Sequence, residues 1–292
     1  MPDQGHMAAG LIACASRRLD LVGIPSAPRE ARLLLAHALG RQARVMAPHA
    51  GDWVVSPDAR ARFTDYVERR ALREPLAYIT GERGFWTLDL AVSEATLIPR
   101  ADSEALVESA LRQWPERTRP LRMLDLGCGT GCLLLACLSE YPAAWGLGID
   151  VSATACRLAA SNARRAGLVS RSAFLCGDWG EAVGSAQANA GFDLVLSNPP
   201  YIRSESIAGL MPEVANFEPR TALDGGADGL AAYRIILPGL ARLLKPGGLA
   251  ILEVGAGQSG PVRAIAEACG LAFIALQPDL GGLDRAVTLR YA

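Results

Sequence analysis

The sequence contains few histidines. Of its 292 residues, three are histidines (His6, His37 and His49), and none follows position 49. A Ser-His-Asp triad, a Cys-His pair and a histidine-bound metal each require an imidazole. The sequence therefore excludes all three arrangements from the C-terminal two-thirds of the chain, whose chemistry has to proceed without histidine.

Cysteine usage gives no sign of a disulfide framework or of a zinc site. The seven cysteines are an odd number and are scattered along the chain, as expected of a reduced protein. Cys128 and Cys132 are close in sequence, but neither a second such pair nor a nearby histidine accompanies them. We therefore expect no bound metal.

The chain has no surplus of either charge and no long apolar run. Its 29 basic residues oppose 30 acidic ones, which argues against stable, sequence-independent binding to nucleic acid. No apolar stretch approaches the length that spans a bilayer, and the first residues lack the pattern of a signal segment. There is also no evident coiled-coil seam. We therefore expect a cytoplasmic monomer that binds neither membranes nor, stably, nucleic acid.

Residues 8–80 have the pattern of a small helical bundle. Apolar side chains recur at helical spacing across residues 31–38, and Gly40 ends that segment. Ser56-Pro57-Asp58 combines an N-cap, a first-turn proline and a first-turn acid, so it predicts the start of another helix. We assign residues 1–82 to a helical domain that recognises the substrate, with a scaffold role as the alternative.

Residues 84–98 contain two short β-favouring runs around a polar middle, which predicts a linking β-hairpin over residues 83–98.

From residue 120 onwards strands alternate with helices, and this alternation specifies an α/β fold with helices on both faces of a mostly parallel sheet. Gly281-Gly282 separates the last two strands, which predicts an antiparallel addition at one edge. Residues 99–292 are expected to form this domain. The predicted strands are 121–126, 145–150, 172–177, 192–197, 247–254, 271–277 and 284–290.

A glycine-rich turn follows the first strand of this domain. The segment Asp125-Leu126-Gly127-Cys128-Gly129-Thr130-Gly131 lets the backbone turn tightly and lets a ligand approach it closely. It is not a phosphate loop, because no lysine follows, and its glycine spacing differs from the dinucleotide fingerprint. By itself such a turn is weak evidence for any particular ligand.

Polar residues also follow the next three strands. Asp150 ends the second strand, where a carboxylate can accept hydrogen bonds from both hydroxyls of a ribose. Asp178 and Trp179 follow the third, where they can bind an exocyclic amine and cover a purine face. The fourth strand ends in Asn198-Pro199-Pro200-Tyr201, a stiff corner that stops the strand. Each feature alone is explained by a turn, a cap or a surface acid, but four successive strand ends together predict a nucleoside pocket beside a polar corner.

The sequence resembles the release factor glutamine methyltransferases, a family of Rossmann-like class I methyltransferases that use S-adenosylmethionine. The resemblance runs from about residue 20 to the C-terminus. In two places the sequence departs from the usual pattern: Ala101-Asp102-Ser103-Glu104 replaces Pro-Glu-Thr-Glu, and Cys128 replaces a common threonine. The segments that carry the resemblance are 75–81, Leu97-Ile98-Pro99-Arg100, 124–131, 177–179, 198–201, Glu218-Pro219-Arg220, 222–226, 228–230 and 284–285.

This resemblance implies a function and a set of site residues. The methyl group goes from S-adenosylmethionine to the side-chain amide nitrogen of the glutamine in the Gly-Gly-Gln motif of peptide chain release factors, in translation termination. Asn198, Pro199 and Tyr201 are then the catalytic residues, and Phe85 and Pro200 join them in binding the substrate. The cofactor-binding residues implied are Asp125, Gly127, Cys128, Gly129, Thr130, Gly131, Asp150, Asp178, Trp179 and Asn198.

Three other functions remain open from the sequence. A sister enzyme that methylates a glutamine of a large-subunit ribosomal protein shares almost the whole site. An adenine or guanine amino methyltransferase acting on DNA or RNA uses the same Asn-Pro-Pro-Tyr chemistry, although the balanced charge and the lack of a base-flipping domain argue against it. A catalytically silent nucleoside-binding module is the third, and the intact Asn198 argues against it.

Overall fold

The computed structural model describes residues 7–40, 53–183 and 191–291. The chain divides into two compact units. One comprises Met1–Gly81 together with Met211–Phe217, and the other comprises Glu82–Leu210 together with Glu218–Ala292. Within the described residues, no helix combines the length and the apolar content needed to cross a bilayer.

The strands occur in the predicted order along the chain. The helices are α1 (Ala8–Leu21), α2 (Ala27–Ala38), α3 (Pro57–Ala71), α4 (Leu76–Thr80), α5 (Glu104–Gln113), α6 (Cys132–Glu140), α7 (Ala153–Arg165), α8 (Pro212–Ala215), α9 (Ala231–Leu243) and α10 (Ser259–Ala268). The strands are β1 (Glu82–Phe85), β2 (Leu88–Ala91), β3 (Arg122–Leu126), β4 (Trp145–Asp150), β5 (Ser172–Cys176), β6 (Phe192–Ser197), β7 (Leu244–Glu253), β8 (Leu271–Pro278) and β9 (Asp284–Tyr291).

The helical unit begins and ends its helices where the sequence indicates. The Ser56 hydroxyl accepts the N–H of Ala59 at 3.3 Å, which confirms the predicted cap of α3. Gly40 follows α2 with a φ of +64°, a conformation that glycine adopts without strain. Apolar residues of α1, α2 and α3 form one buried cluster, and Leu34, Leu35 and Phe63 are among its members.

A buried arginine ties the segment Met211–Phe217 into the helical unit. The Arg70 side chain is 5% exposed and contacts the carboxylates of Glu30 at 2.6 Å and Glu213 at 3.0 Å. Arg73 reaches the other oxygen of Glu213 at 3.2 Å. A buried guanidinium needs such partners because an unpaired buried charge is costly. The chain that leaves the Asn198 corner therefore enters the helical unit before it returns to the α/β unit at Glu218.

The predicted hairpin is present but shorter than the range that suggested it. Strands β1 and β2 pair antiparallel around a two-residue turn at Trp86 and Thr87, and Trp86 has a φ of +55°. Residues 92–98 are not part of either strand. They turn instead, with the N–H of Thr96 donating to the carbonyl of Ser93 at 3.1 Å.

The α/β unit contains the predicted seven-stranded sheet. Its strand order is β5-β4-β3-β6-β7-β9-β8. The pairs among β3, β4, β5, β6 and β7 are parallel, and β9 is antiparallel to both β7 and β8. This confirms the Rossmann-like methyltransferase fold with an antiparallel pair at one edge.

Side chains of the central strands alternate between two buried clusters. Met123 and Leu194 belong to the cluster that includes residues of α5 and α6, whereas Leu124 and Val195 belong to the cluster that includes residues of α9 and α10. Successive residues of a strand point to opposite faces, so a sheet covered on both sides needs apolar residues at nearly every position. Among the buried residues of β3, Asp125 is the exception.

A fully buried asparagine connects the hairpin to the glycine-rich turn. The Asn162 side chain, 0% exposed, donates to the carbonyls of Ala91 at 3.0 Å and Thr130 at 2.9 Å. Its oxygen accepts the N–H of Ala91 at 2.8 Å. One side chain on α7 thus satisfies three backbone groups, two at the end of β2 and one in the glycine-rich turn.

We predict that Asn162→Ala lowers the free energy of unfolding by about 3 kcal/mol or more, because it leaves three backbone groups without their partner and each costs about 1–3 kcal/mol. Urea denaturation of the purified protein measures the change. Ser161→Ala, one position earlier on the same helix, is the matched control and should stay within about 0.5 kcal/mol of the parent. A loss smaller than about 1 kcal/mol for Asn162→Ala would contradict this role.

Candidate functional site

The four predicted strand ends meet at one cavity. The cavity lies at the carboxyl edge of the sheet in the α/β unit and is lined by the ends of β3, β4, β5 and β6. The carboxyl ends of adjacent parallel strands necessarily share an edge, where ligands of such folds bind. The predicted site residues that line this cavity are Asp125, Gly127, Cys128, Gly129, Thr130, Asp150, Asp178, Trp179, Asn198 and Pro200.

The glycine-rich turn forms the floor of the cavity next to β3. Gly127, Gly129 and Gly131 have φ values of +74°, +53° and +80°, so all three positions favour glycine. The N–H of Gly127 donates to the Ile149 carbonyl at 2.8 Å, which fixes the turn to the neighbouring strand. A Cβ at Gly127 would lie 3.5 Å from the Trp179 ring, so the indole stands directly over this backbone.

Asp150 is held in one orientation by backbone donors. Its Oδ2 accepts the N–H of Gly129 at 2.9 Å, and its Oδ1 accepts the N–H of Ser152 at 2.9 Å. Each carboxylate oxygen has a second lone-pair site. The carboxylate lines the cavity and therefore still offers two acceptors to a pair of hydroxyls.

Asp125 is a buried acid with unused hydrogen-bonding capacity. It is 1% exposed and lines the cavity, and neither of its oxygens has a hydrogen-bond partner in the described part of the chain. Burial raises its pKa to about 7, and the nearby charge of Asp150 adds to this effect. Such a group suits a positively charged ligand, which would repay its desolvation and keep it ionised.

The polar corner after β6 presents one end of a carboxamide to the cavity. The Asn198 Nδ2 donates to the Ser103 Oγ at 3.2 Å, and Asn198 itself lines the cavity. This contact occupies the donor end of the amide and leaves the Oδ1 acceptor available. Ser103 also lines the cavity, from the turn that precedes α5.

The corner is supported from behind by polar contacts. Gln258 Nε2 donates to the Tyr201 carbonyl at 3.0 Å, and Gln258 Oε1 accepts the N–H of Gly255 at 3.0 Å. A Cβ at Gly229 would lie 2.5 Å from the Tyr201 carbonyl oxygen, so only glycine fits there. The Tyr201 hydroxyl donates to Glu253 Oε1 at 3.1 Å. These contacts make the corner rigid.

Some predicted site residues do not reach the cavity surface. Pro199 is buried and Tyr201 is half-buried behind the corner, and among the described residues neither lines the cavity; Gly131 shapes the turn without lining it. Phe85 is 2% exposed and belongs to the hydrophobic cluster that contains Leu90. The structure therefore differs from the expectation that Phe85 walls the substrate, because its ring gains more by burial in that cluster.

Several cavity residues were not among the predicted site residues. Arg100 lines the cavity and forms a 2.5 Å ion pair with Glu218, whose side chain is 1% exposed. Both lie in segments that carry the family resemblance, so that resemblance was the available signal. Spacing alone could not bring residues this far apart in sequence together. The other unpredicted lining residues include Thr96, Leu97, Pro99, Ser103, Pro219, Thr221 and Ala222.

Two family models match the chain. One is described as the PrmC N-terminal domain and matches residues 10–81. The other is described as a methyltransferase domain and matches residues 118–269.

Among solved structures, the hMettl16 catalytic domain in complex with MAT2A 3'UTR hairpin 1 is similar with a TM-score of 0.57 and 15% identity, covering 78% of this chain and 81% of that one. A methyltransferase from Pyrococcus furiosus has a TM-score of 0.51 and 14% identity, covering 76% of this chain and 98% of that one. These two likenesses show the fold alone.

Curated relatives are similar over nearly the whole chain. The release factor glutamine methyltransferase of Caulobacter vibrioides is 46% identical over 275 residues, which cover 94% of this chain and 92% of the relative. That of Rhodospirillum rubrum is 45% identical over 273 residues, which cover 94% of this chain and 82% of the relative. This chain therefore belongs to the release factor glutamine methyltransferase family.

Proposed function

We propose that this protein methylates the side-chain amide nitrogen of the glutamine in the Gly-Gly-Gln motif of peptide chain release factors. The observation that carries the proposal is the 46% identity to a release factor glutamine methyltransferase over 94% of this chain. The cavity supports it, because three polar groups line it. They are the unpaired acid Asp125, the Asp150 carboxylate, which can accept from hydroxyls, and the Asn198 carboxamide. The methyl donor of this family is S-adenosylmethionine.

The residues of the cavity fit this cofactor. S-adenosylmethionine supplies, when bound, a methyl group on a positively charged sulfur. Asp125 offers an unpaired buried carboxylate to a positively charged group, and Asp150 offers two acceptors to the ribose. Asp178 and Trp179 also line the cavity. We assign Asp178 to accept from the adenine amine and the Trp179 indole to cover the base.

Asn198 is the residue that orients the substrate. Its Oδ1 accepts one N–H of the glutamine amide, and a carbonyl of the Pro199 region accepts the other. Both acceptors are uncharged and rigidly held. Holding reacting groups at about 3–3.5 Å in one orientation accounts for several kcal/mol of a reaction barrier.

The reaction needs no histidine. An amide nitrogen is a poor nucleophile because its lone pair is delocalised into the carbonyl. Its proton becomes acidic as the new bond to nitrogen forms, so no strong base has to remove it beforehand. The bond from the methyl carbon to sulfur would break as the bond to nitrogen forms, and the substrate nitrogen would lose one N–H proton to solvent. The accepting oxygens of the corner hold that N–H in place until the proton leaves.

The helical unit is the part that we assign to recognition of the protein substrate. A separate folded unit matched by the PrmC N-terminal domain model supports this assignment. Peptide chain release takes place at the ribosome, so the enzyme acts in the cytoplasm. We assign it a monomeric state and activity without a metal or stably bound nucleic acid.

Methyl transfer to three purified substrates tests the proposal. With labelled S-adenosylmethionine, we expect label in a bacterial release factor and, by mass spectrometry, one added methyl on the glutamine of its Gly-Gly-Gln peptide. The large-subunit ribosomal protein substrate and a DNA or RNA oligonucleotide should remain unlabelled. Label in either of these and not in the release factor would contradict the proposal and identify the rival function.

Asn198→Ala should lower kcat at least about 100-fold, because the substrate amide loses its orienting acceptor. Affinity for S-adenosylmethionine, measured by calorimetry, should change less than about threefold, because the cofactor contacts of the other strand ends remain. Gln113→Ala removes a carboxamide outside the cavity and serves as the control. Turnover of Asn198→Ala near that of the parent would show that the orienting role is wrong.

Asp125 should make cofactor binding depend on pH. Its pKa in the free protein is raised to about 7, and a bound cation favours the ionised form. Affinity for S-adenosylmethionine should therefore rise about tenfold between pH 6 and pH 8, with proton release on binding near pH 7. Calorimetry in buffers of different ionisation enthalpy measures both effects.

Asp125→Asn should bind the cofactor more weakly and lose the part of the pH dependence that this carboxyl causes. Asp193→Asn is the matched control, since Asp193 lies at the opposite end of β6 and pairs with Lys245 at 2.8 Å. It should keep the slope of the parent. The same slope in Asp125→Asn as in the parent would show that another group is responsible.

A further inference from the structure

Glu253 is a buried acid beside the polar corner that the proposed mechanism does not use. It is the last residue of β7 and lies one position beyond Leu252, which pairs with Ser197 of β6. Glu253 is 1% exposed. Its Oε1 accepts the Tyr201 hydroxyl at 3.1 Å, and its Oε2 has no hydrogen-bond partner among the described residues. A buried acid with spare acceptor capacity needs a reason to be there.

The Asn198 carboxamide can face the cavity with either its oxygen or its nitrogen. An amide has a donor end and an acceptor end of nearly the same shape. Its Nδ2 meets the Ser103 Oγ at 3.2 Å, but a serine hydroxyl can donate as well as accept. If the Ser103 hydroxyl donated to Asn198, the amide would turn round and present its N–H groups to the cavity. The direction of the Ser103 proton therefore decides which end of Asn198 the substrate meets.

Glu253 offers an acceptor that can fix the direction of the Ser103 hydroxyl proton. Glu253 Oε1 accepts the Tyr201 hydroxyl at 3.1 Å, and Oε2 has no partner among the described residues, so it is free to accept a further hydroxyl. Burial raises the pKa of Glu253, and the hydroxyls of Ser103 and then Tyr201 lower it, which indicates that Ser103 lies near this carboxylate. An ionised carboxylate accepts hydrogen bonds and cannot donate them. With its proton directed at Glu253, the Ser103 oxygen has only lone pairs to offer to Asn198.

We propose that Glu253 is a positioning residue: by accepting from the hydroxyls of Ser103 and Tyr201, it holds the Asn198 amide oxygen towards the cavity. This inference rests on the proposed function, because it concerns the same methyl transfer. Glu253 acts through these neighbours and does not itself line the cavity among the described residues.

The other charged and titratable groups around Glu253 keep their protonation states near neutral pH. Glu253 is therefore the group whose protonation can change these hydrogen bonds. Arg285 pairs with Asp279 at 2.9 Å and with Asp102 at 3.5 Å, and its charge lowers the Glu253 pKa whereas that of Asp102 raises it. The Tyr233 hydroxyl donates to the backbone carbonyl of Glu253 at 2.7 Å. Burial raises the pKa of Tyr233, so this phenol stays neutral. At the N-terminus of α6, burial raises the pKa of the Cys132 thiol to about 12, so it also stays neutral near pH 7.

We call the hydrogen bonds that link Asn198, Ser103 and Glu253 the relay. Protonation of Glu253 would reverse their direction. The carboxyl would then carry an O–H donor, and one of the two hydroxyls would have to accept from it. Because burial raises this pKa above the ordinary carboxyl range, kcat should fall as the pH drops through a value higher than that of an exposed glutamate. Saturating cofactor separates this effect from the titration of Asp125, which the bound cation keeps ionised.

The test is the pH profile of kcat for Glu253→Gln at saturating S-adenosylmethionine and release factor. We expect kcat near neutral pH to fall at least about 10-fold, because the glutamine amide donates where the carboxylate accepted. KM for both substrates and the Kd of the cofactor should stay within about threefold. The acidic limb of the parent profile should disappear. A kcat within about twofold of the parent, or an unchanged acidic limb, would overturn the proposal.

Ser103 provides a second and independent test. Ser103→Thr keeps the hydroxyl and should keep kcat, whereas Ser103→Ala should lose it; equal kcat values for the two variants would overturn the proposal. Glu253→Gln should have a smaller effect in the Ser103→Ala background than in the parent, because both changes break the same relay. If Glu253→Gln folds poorly, the comparison of Ser103→Thr with Ser103→Ala still tests whether the hydroxyl between Asn198 and Glu253 is needed.

A structural control completes the design. The Ser109 hydroxyl is buried and lies 2.7 Å from the Thr288 hydroxyl, outside the cavity. Ser109→Ala should lower stability without altering the pH profile, so a profile changed in the same way would overturn a specific role for Glu253. Absence of methyl transfer by the parent protein itself is a separate result, which would overturn the proposed function and this inference with it.

Discussion

Parallel pairing of β3, β4, β5, β6 and β7 is the constraint on which the site depends. It places the carboxyl ends of four of these strands around one cavity, so residues far apart in sequence become neighbours. Only this arrangement makes a candidate binding site out of Asp125, Asp150 and Asn198. None of the three would indicate a ligand if it followed an isolated strand. The cavity and the Asn198 corner beside it are therefore consequences of one sheet topology.

Three acids in the α/β unit have hydrogen-bonding capacity that the folded chain does not use up, and one of them, Asp125, lines the cavity. Both oxygens of Asp125 and one oxygen each of Glu218 and Glu253 lack hydrogen-bond partners among the described residues. Such groups cost stability, since burial of an acid without a full set of partners is unfavourable. Proteins tolerate this cost at functional sites. We propose that Asp125 offers its carboxylate to a positive charge and that Glu253 offers an acceptor to its neighbouring hydroxyls.

Sequence patterns predicted the fold and the strand-end residues well, because both depend on local signals. Alternating strands and helices identified the sheet, and polar residues directly after apolar runs identified Asp150 and Asn198. Contacts between distant segments gave no such signal. Ser103 and Glu253 lie far from Asn198 in sequence, and Met211–Phe217 belongs to the helical unit without any change in composition. The resemblance implied that Phe85 binds the substrate, but Phe85 is buried in a hydrophobic cluster with Leu90 of the hairpin.

The central claim is that the Asn198 oxygen accepts from the amide of a substrate glutamine. A crystal structure with S-adenosylhomocysteine and a Gly-Gly-Gln peptide tests it most directly. The claim predicts that Asn198 Oδ1 lies within hydrogen-bonding distance of the glutamine side-chain nitrogen, about 2.7–3.2 Å, while Nδ2 stays on Ser103. A bound glutamine side chain whose nitrogen contacts other acceptors, with Asn198 turned away from the cavity, would contradict it.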